Sequence, residues 1–252
     1  MGGALTRMLG RTGNSTFIPT DLGSKLVAWY DPSSIGSLWQ NVGATTPVAA
    51  GGDVVGRMND RSANSHDIST VANDTHRPTY QVDGSGNPYI LFDGVDDYLA
   101  SSGFNISLPY DRISAIQQVA WISGHNIFGQ VTSSSTATLS QPAANGTPNI
   151  RLIDASTPQG SVISASLAVG SNGVVTERHI AAASQLAVNN GSYVTGDAGS
   201  AGQGGLCIGG TGTGANATNI RLYGMIIGDG TLTSTQIAQC RTFLGNKCGL
   251  SL

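Results

Sequence analysis

Short apolar runs that end at turn-forming residues follow one another along most of the chain. "KLVAWYDP" closes at Asp31-Pro32 and "YILF" closes at Asp93-Gly94, as strands do before tight turns. No helical periodicity separates the runs, so the pattern predicts an all-β protein built as a sandwich or a barrel. Further strands are predicted at Ile113–Ser123, Asn149–Ile153, Ser161–Val169, Val174–Ala183, Leu206–Gly209 and Ile220–Ile227.

The end of the chain has a different period, which predicts one C-terminal helix over residues 234–248. Thr233 and Gln236 have the spacing of a capping box, and Leu232 with Ile237 has that of a hydrophobic staple. Gly249 suits the left-handed residue that follows a helix. The apolar face of this helix is expected to lie against the sandwich through Ile237, Cys240, Leu244 and Cys248.

The stretch from Gly196 to Gly214 is rich in glycine and contains a short strand-like "LCIGG". Because this strand-like stretch lies inside the segment, we predict a long surface loop and not a linker between two domains.

Composition narrows the class of protein. Only 11% of the 252 residues are charged, the net charge is −3, and the basic residues are scattered, which excludes the phosphate-tracking surface of a nucleic-acid binder. No apolar run approaches the ~20 residues of a membrane span, and none near the N-terminus resembles a secretory signal. We expect a soluble protein made in the cytoplasm, with Cys207, Cys240 and Cys248 reduced and buried.

Residues 1–20 read as an extended arm ahead of a single domain over 21–252. This segment contains basic residues and no acid before Asp21, together with a short apolar cluster. A free terminus of this kind is disordered unless something holds it, so we predict that it docks on a neighbouring chain. The expected contact residues are Leu5, Arg7, Met8, Leu9 and Arg11.

Three acidic residues, Asp93, Asp96 and Asp97, stand within five positions in "YILFDGVDDYLA". The favoured interpretation is a hairpin corner, because Asp-Gly after a strand is a turn signal and carboxylates there accept backbone N–H groups. The same three residues are candidate calcium ligands, although calcium needs six to eight oxygens. A catalytic Asp–Asp pair is the third alternative. Compensation of the clustered charge is expected from a cation, from backbone amides, or from Arg57, Arg61 or Arg77.

Several segments in this order resemble the laminin-G-like domains of the concanavalin A-like superfamily, in the version found in bacteriophage virion proteins. They are "LVAWYDPS", "VGRMNDRSANSHDI", "RPTYQ", "YILFDGVDDYL" and "LTSTQIAQCRTFLGNKCGL". This sequence departs from the pattern at Met58, where Trp is usual, and at Ala63, where Gly is usual. The resemblance implies a two-sheet antiparallel jelly-roll sandwich that binds glycans at its concave face or edge loops, sometimes with calcium.

Candidate chemistry is sparse. Glycanases of that superfamily carry a Glu-x-Asp-x-x-Glu strand, whereas Glu177 is the chain's only glutamate, and the histidines are dispersed. His179 is expected to be a cross-strand partner. Sugar contacts are expected where an aromatic face meets polar groups. The candidate glycan-binding residues are Trp39, Tyr110, Tyr193 and Asn190.

The function expected from these observations is a non-enzymatic virion structural protein, as capsid decoration, head fibre or tail component. It would be anchored to other virion proteins through its arm, would form a homo-oligomer, and would need no cofactor unless the acidic turn holds calcium. The alternative is a glycan-binding module for host attachment with a host surface glycan as partner. A glycan-cleaving enzyme is the weakest of the three hypotheses.

Overall fold

The computed structural model describes residues 16–70, 75–131, 138–142, 146–153, 163–200, 202–212, 214–230 and 232–252, without the side chains of 102–104. Strands dominate these residues, and one α-helix, α1 (Ser234–Lys247), follows them. In chain order the strands are β1 (Leu26–Tyr30), β2 (Leu38–Trp39), β3 (Arg57–Met58), β4 (Ile68–Ser69), β5 (Thr79–Val82), β6 (Pro88–Asp93), β7 (Leu99–Ile106), β8 (Tyr110–Gln118), β9 (Asn126–Gly129), β10 (Thr138–Ser140), β11 (Asn149–Ile153), β12 (Ile163–Ser166), β13 (Asn172–His179), β14 (Ser184–Val188), β15 (Val194–Gly196), β16 (Gln203–Ile208) and β17 (Asn219–Asp229).

The strands form two antiparallel sheets that face each other. The eight-stranded sheet has the order β15-β14-β13-β8-β17-β6-β5, and β1 pairs with the far half of β17. The nine-stranded sheet has the order β12-β11-β10-β9-β16-β7-β4-β3-β2. The predicted all-β, two-sheet antiparallel sandwich with a C-terminal helix is confirmed.

The main core lies between the sheets, and strand alternation explains how the sequence fills it. In β11, Ile150 and Leu152 are buried in this core while Arg151 between them points to the other face. In β6, Ile90 and Phe92 alternate in the same way. Met58, at the position where the resemblance has Trp, is fully buried in this core.

A second apolar cluster covers the outer face of the eight-stranded sheet. Helix α1 packs there against β8, β13 and β17, as its predicted apolar face requires. Thr233 Oγ1 accepts from the backbone N–H of Gln236, the Gln236 side chain returns to the Thr233 N–H, and Gly249 has φ +75°. The predicted capping box and helix end are therefore confirmed. Within the described residues no helix combines the length and apolar character needed to cross a membrane.

The predicted hairpin corner at Asp93 is wrong. Strand β6 pairs with β5 and β17 in the eight-stranded sheet, whereas β7 pairs with β4 and β16 in the nine-stranded sheet. The segment between them crosses from one sheet to the other. Alternation of side chains predicts two strands and a turn but does not say whether the strands pair with each other.

The prediction of a surface loop over Gly196–Gly214 is also wrong in its central part. Residues Gln203–Ile208 form β16, which lies between β9 and β7 near the middle of the nine-stranded sheet. Five of its six residues are buried. Glycines are needed here because neighbouring backbone approaches closely: a Cβ on Gly202 would lie 2.5 Å from the Ile106 carbonyl oxygen.

The predicted arm residues Leu5, Arg7, Met8, Leu9 and Arg11 lie outside the described residues, so their docking role stays a prediction. Beyond them the chain joins the body before residue 21. Phe17 packs edge-on against Phe243 of α1, and a kinked 3-10 segment, Pro19–Lys25, buries Leu22 beside it. The three cysteines are free and buried, as predicted.

Candidate functional site

The two outer faces of the sandwich differ in whether a helix packs over them. Helix α1 and the 3-10 segment lie over the eight-stranded sheet. The described residues place no helix over the nine-stranded sheet, and its outward face is exposed at Asn105, beside Gly204, near the end of β7. A ligand therefore has access to one end of this sheet.

A cleft of about 560 Å³ opens where β7, β9 and β16 end. Its wall carries hydroxyl and amide groups, and Ile106 with Leu108 supplies the apolar part. Neighbouring strands bring these groups together, since Gly204 of β16 pairs with Asn105 of β7. The polar side chains that line the cleft are Asn105, Ser107, Gln130, Ser200 and Gln203.

Two buried amides give the cleft a fixed floor. Gln130 donates from Nε2 to the Gly202 carbonyl oxygen at 2.7 Å, and Gly204 leaves room beside the Gln130 amide, since an added Cβ would lie 3.2 Å from Oε1. Gln203 donates from Nε2 to the carbonyl oxygens of Gly129 and Gly205 at 3.1 and 2.8 Å. Both side chains are therefore held in single orientations.

The other end of the Gln203 amide contacts a buried charge network that joins the two sheets. Gln203 Oε1 accepts from Tyr110 Oη at 3.2 Å and from Arg112 Nη1 at 2.9 Å. Arg112 also binds Glu177 with two parallel hydrogen bonds, from Nε at 2.9 Å and from Nη2 at 2.6 Å, and both side chains are 0% exposed. His179 completes the group by stacking on Tyr110 at 4.1 Å.

Electrostatics inside this network favour the ion pair. Burial alone would raise the pKa of Glu177, but Arg112 and His179 outweigh it and hold this pKa below its ordinary value. Glu177 is thus an ionised carboxylate enclosed by protein. It cannot reach a substrate, so the chain's only glutamate is a structural residue, and His179 is the cross-strand partner that was predicted.

The acidic turn lies at the opposite end of β7 from the cleft. Asp93, Asp96 and Asp97 each offer one carboxylate oxygen, and these atoms lie within 4.8 Å of one another. Backbone amides hold two of the carboxylates: Asp97 accepts from the Asp93 N–H at 2.9 Å, and Asp93 accepts from the Val95 N–H at 2.8 Å. Asp96 lies 3.0 Å from His76 Nδ1.

Backbone amides therefore stabilise two of the three carboxylates in this turn. Of the three arginines considered, Arg57 pairs with Asp67, Arg61 pairs with Asp31, and Arg77 donates to the Gln40 carbonyl oxygen. Burial, and then the neighbouring carboxylates, raise the pKa of Asp97 to about 6.

The fit of calcium to the turn is partial. Three carboxylate oxygens within reach of one ion suit a hard cation, but six to eight oxygens are needed. Asp97 is buried, so water would have to complete the shell from the side of exposed Asp93. Asp93, Asp96 and Asp97 stay a predicted calcium site.

The residues predicted to bind glycan do not come together. Trp39 lies on β2 at one edge of the nine-stranded sheet, whereas Tyr193 and Asn190 share the loop before β15, which lies over β12 at the other edge. Tyr110 is fully buried. One face of the Tyr193 ring is covered by the Arg241 guanidinium, 5.1 Å from the ring centre.

Comparison with known proteins gives similarity in fold only. No family model matches the chain, and no curated protein matches it. An arabinofuranosidase complexed with arabinofuranosyl-α-1,2-xylobiose is 12% identical, with a TM-score of 0.65, over 92% of this chain and 65% of that one. Domain 4 of AbnA, a GH43 extracellular arabinanase from Geobacillus stearothermophilus, in complex with arabinotriose, is 11% identical, with a TM-score of 0.54. The match covers 86% of this chain and 98% of that domain.

A Trypanosoma rangeli sialidase in complex with sialic acid is 13% identical, with a TM-score of 0.54, over 88% of this chain and 33% of that one. This chain thus spans about a third of the sialidase and just under two thirds of the arabinofuranosidase. At these identities the shared property is the β-sandwich fold.

These similarities contradict two predictions made from the sequence. The neighbours named above are carbohydrate-processing enzymes or a domain of one, so the predicted non-enzymatic virion structural protein is wrong, and so is the prediction of no enzymatic role. The virion role came from the family resemblance, and the absence of an enzymatic role was also inferred from the missing catalytic motifs. The jelly-roll part of that resemblance is supported, and no link to laminin-G or phage proteins is found.

Proposed function

We propose that this chain is the glycan-recognising jelly roll of a carbohydrate-processing protein, and that the glycan binds in the cleft at the end of β7, β9 and β16. The observation that carries this proposal is the cleft itself, in which side-chain amides and hydroxyls border a mainly apolar wall. The structural neighbours support the carbohydrate class.

Size and chemistry fit a sugar. Ligand pockets typically have volumes of ~300–1,000 Å³, and about 560 Å³ has room for one or two sugar rings. Sugars are recognised by fixed donors and acceptors combined with an apolar surface. The Gln130 amide is fixed by the Gly202 carbonyl oxygen, and Asn105, Ser107 and Ser200 are exposed at the rim. Gln203 supports the cleft from below, because its own amide is fully hydrogen-bonded within the protein.

Two of the neighbours carry oligosaccharides, arabinotriose in one and arabinofuranosyl-α-1,2-xylobiose in the other. We therefore use pentose oligosaccharides as the first ligands to test. Binding to arabino- and xylo-oligosaccharides would be measured by isothermal titration calorimetry with the full chain.

The matched variants are Asn105→Ala in the cleft and Asn190→Ala in the loop before β15. Both side chains are exposed, so neither change should disturb the fold. Loss of rim hydrogen bonds should weaken binding by about fivefold or more in Asn105→Ala, while Asn190→Ala binds as the unchanged protein does. Equal loss in both variants, or loss only in Asn190→Ala, would reject the cleft as the binding site.

A second candidate function, glycoside hydrolysis at the acidic turn, is favoured by one observation. Asp97 has a raised pKa, close to 6, beside two other carboxylates whose oxygens lie within 4.8 Å. Retaining glycosidases place a protonated carboxyl group and an ionised one roughly 5 Å apart. Asp97 would donate the proton, and exposed Asp93 would act as the ionised carboxylate.

Assays with 4-nitrophenyl glycosides test this candidate. Turnover should fall as the pH rises above about 6, because the proton donor is then lost, and Asp97→Asn should abolish it. Asp83→Asn, in the turn between β5 and β6, is the control that keeps activity. Activity that survives Asp97→Asn, or no turnover of any glycoside by the unchanged protein, would reject hydrolysis at this turn.

A further inference from the structure

The cleft residues lie within three chain segments that carry no fixed charge. Residues 98–110, 113–150 and 198–220 contain none of the chain's 12 lysines and arginines and none of its 15 aspartates and glutamates. Asn105 and Ser107 belong to the first segment, Gln130 to the second, and Ser200 and Gln203 to the third. The side chains of the cleft wall are therefore uncharged.

The charged groups directly beneath the cleft are closed off from it. Arg112 donates to Gln203 from one nitrogen and to Glu177 from the other two. The Arg112–Glu177 ion pair therefore has no net charge. Neither side chain is exposed. The Arg112 guanidinium also lies over the Phe128 ring, 5.0 Å from its centre, which shields another side of the charge.

Binding of a carboxylated sugar in this cleft would carry an unfavourable desolvation free energy. Proteins recognise carboxylates with arginine or lysine, and Arg does so with two parallel hydrogen bonds. Removing a carboxylate from water against neutral amides and hydroxyls, without a cation, is unfavourable. Neutral hydroxyl-rich rings meet no such penalty, because amides and hydroxyls both donate to and accept from them.

We infer that the ligand of this cleft is a neutral oligosaccharide and that sialylated and uronate-containing glycans are excluded. The inference rests on the proposed function and adds the substrate class to it. Because no charge on the cleft wall takes part, binding should also depend little on ionic strength.

The test is a calorimetric comparison of neutral and acidic ligands with the full chain. Neutral arabino-, xylo- and galacto-oligosaccharides are compared with sialyllactose and oligogalacturonate, at about 20 mM and about 500 mM NaCl. Each titration is repeated with Asn105→Ala, so that only ligands sensitive to this change are assigned to the cleft.

We expect at least one neutral oligosaccharide to bind with a Kd that changes less than about twofold with salt, and the acidic glycans to bind about tenfold more weakly or not at all. An acidic glycan that binds more tightly than the neutral ones, is weakened by Asn105→Ala and is released by salt would overturn the inference while leaving the cleft a glycan site. Absence of binding by every glycan would overturn the proposed function and the inference together.

Discussion

Backbone conformation at single positions decides several close approaches in this fold. Gly209 has φ +92°, and a Cβ there would lie 2.8 Å from the Asp97 carbonyl oxygen and against the Phe92 ring, so only glycine fits. Ala63 has φ +72°, in the left-handed region, where its Cβ causes a steric clash that glycine would avoid. This is the position where the family resemblance expects glycine, so the sequence departure corresponds to real backbone strain.

Ala63→Gly should therefore stabilise the protein. Relief of the left-handed strain should exceed the entropy that glycine adds to the unfolded chain, and we expect a gain of about 1 kcal/mol in the free energy of unfolding. Urea denaturation measures it. Ala238→Gly, at an exposed position inside α1, makes the same chemical change and should destabilise by about 1 kcal/mol. A loss of stability in Ala63→Gly would contradict the strain argument.

Asp97 should give stability a pH dependence of defined sign. Its pKa is raised to about 6 in the folded protein, so the native state retains a proton that the unfolded chain releases at lower pH. This contribution is fully present below about pH 4 and is lost as the pH rises through about 6. In the Asp97→Asn variant, the side-chain carbonyl oxygen can still accept the hydrogen bond from the Asp93 N–H, and the amide does not titrate.

The stability of the unchanged protein, measured relative to Asp97→Asn by urea denaturation, should therefore decline between about pH 4 and about pH 7. A difference that stays constant over this range, or that grows with pH, would show that the carboxyl group is not held protonated by its surroundings.

At the scale of elements, the strands and the helix differ in how far the sequence predicts them. Strand β11 and helix α1 were predicted almost to the residue, because alternation and the Thr233–Gln236 capping box are local signals. The pairing of β6 and β7 was mispredicted, because the sheet that receives a strand is decided by contacts distant in sequence. The predicted strand Leu206–Gly209 covers only the second half of β16, because the glycines of its first half, which are there for close backbone approach, weaken the strand signal.

The Arg112–Glu177 pair connects strands β8 and β13, and through Gln203 it connects the two sheets. Arg112→Met leaves Glu177 buried without its cation and should cost about 3–5 kcal/mol of unfolding free energy. Adding Glu177→Leu removes the orphaned charge, so the double variant should be more stable than Arg112→Met alone. Urea denaturation of both single variants and the double variant measures the coupling, and additive losses would contradict a direct ion pair.

At the scale of the whole molecule, the fold was predictable and the site was not. The strand pattern and one amphipathic helix predicted an all-β sandwich or barrel, and the family resemblance decided for the two-sheet sandwich that the structure has. The cleft residues Asn105, Gln130 and Gln203 are common neutral side chains on three separate strands or strand ends, so they form no motif along the chain. The one feature of the sequence that marks them is the absence of charged residues from the long segments in which they lie.

The most direct measurement is an NMR titration of the ¹⁵N-labelled full chain with the tightest-binding neutral oligosaccharide. We expect saturable amide shifts centred on Asn105–Leu108, Gln130 and Gly202–Gly204, with the acidic turn and the loop of Asn190 and Tyr193 unchanged. Saturable shifts centred on Asp93–Asp97 or on that loop, with the cleft amides unmoved, would contradict this prediction.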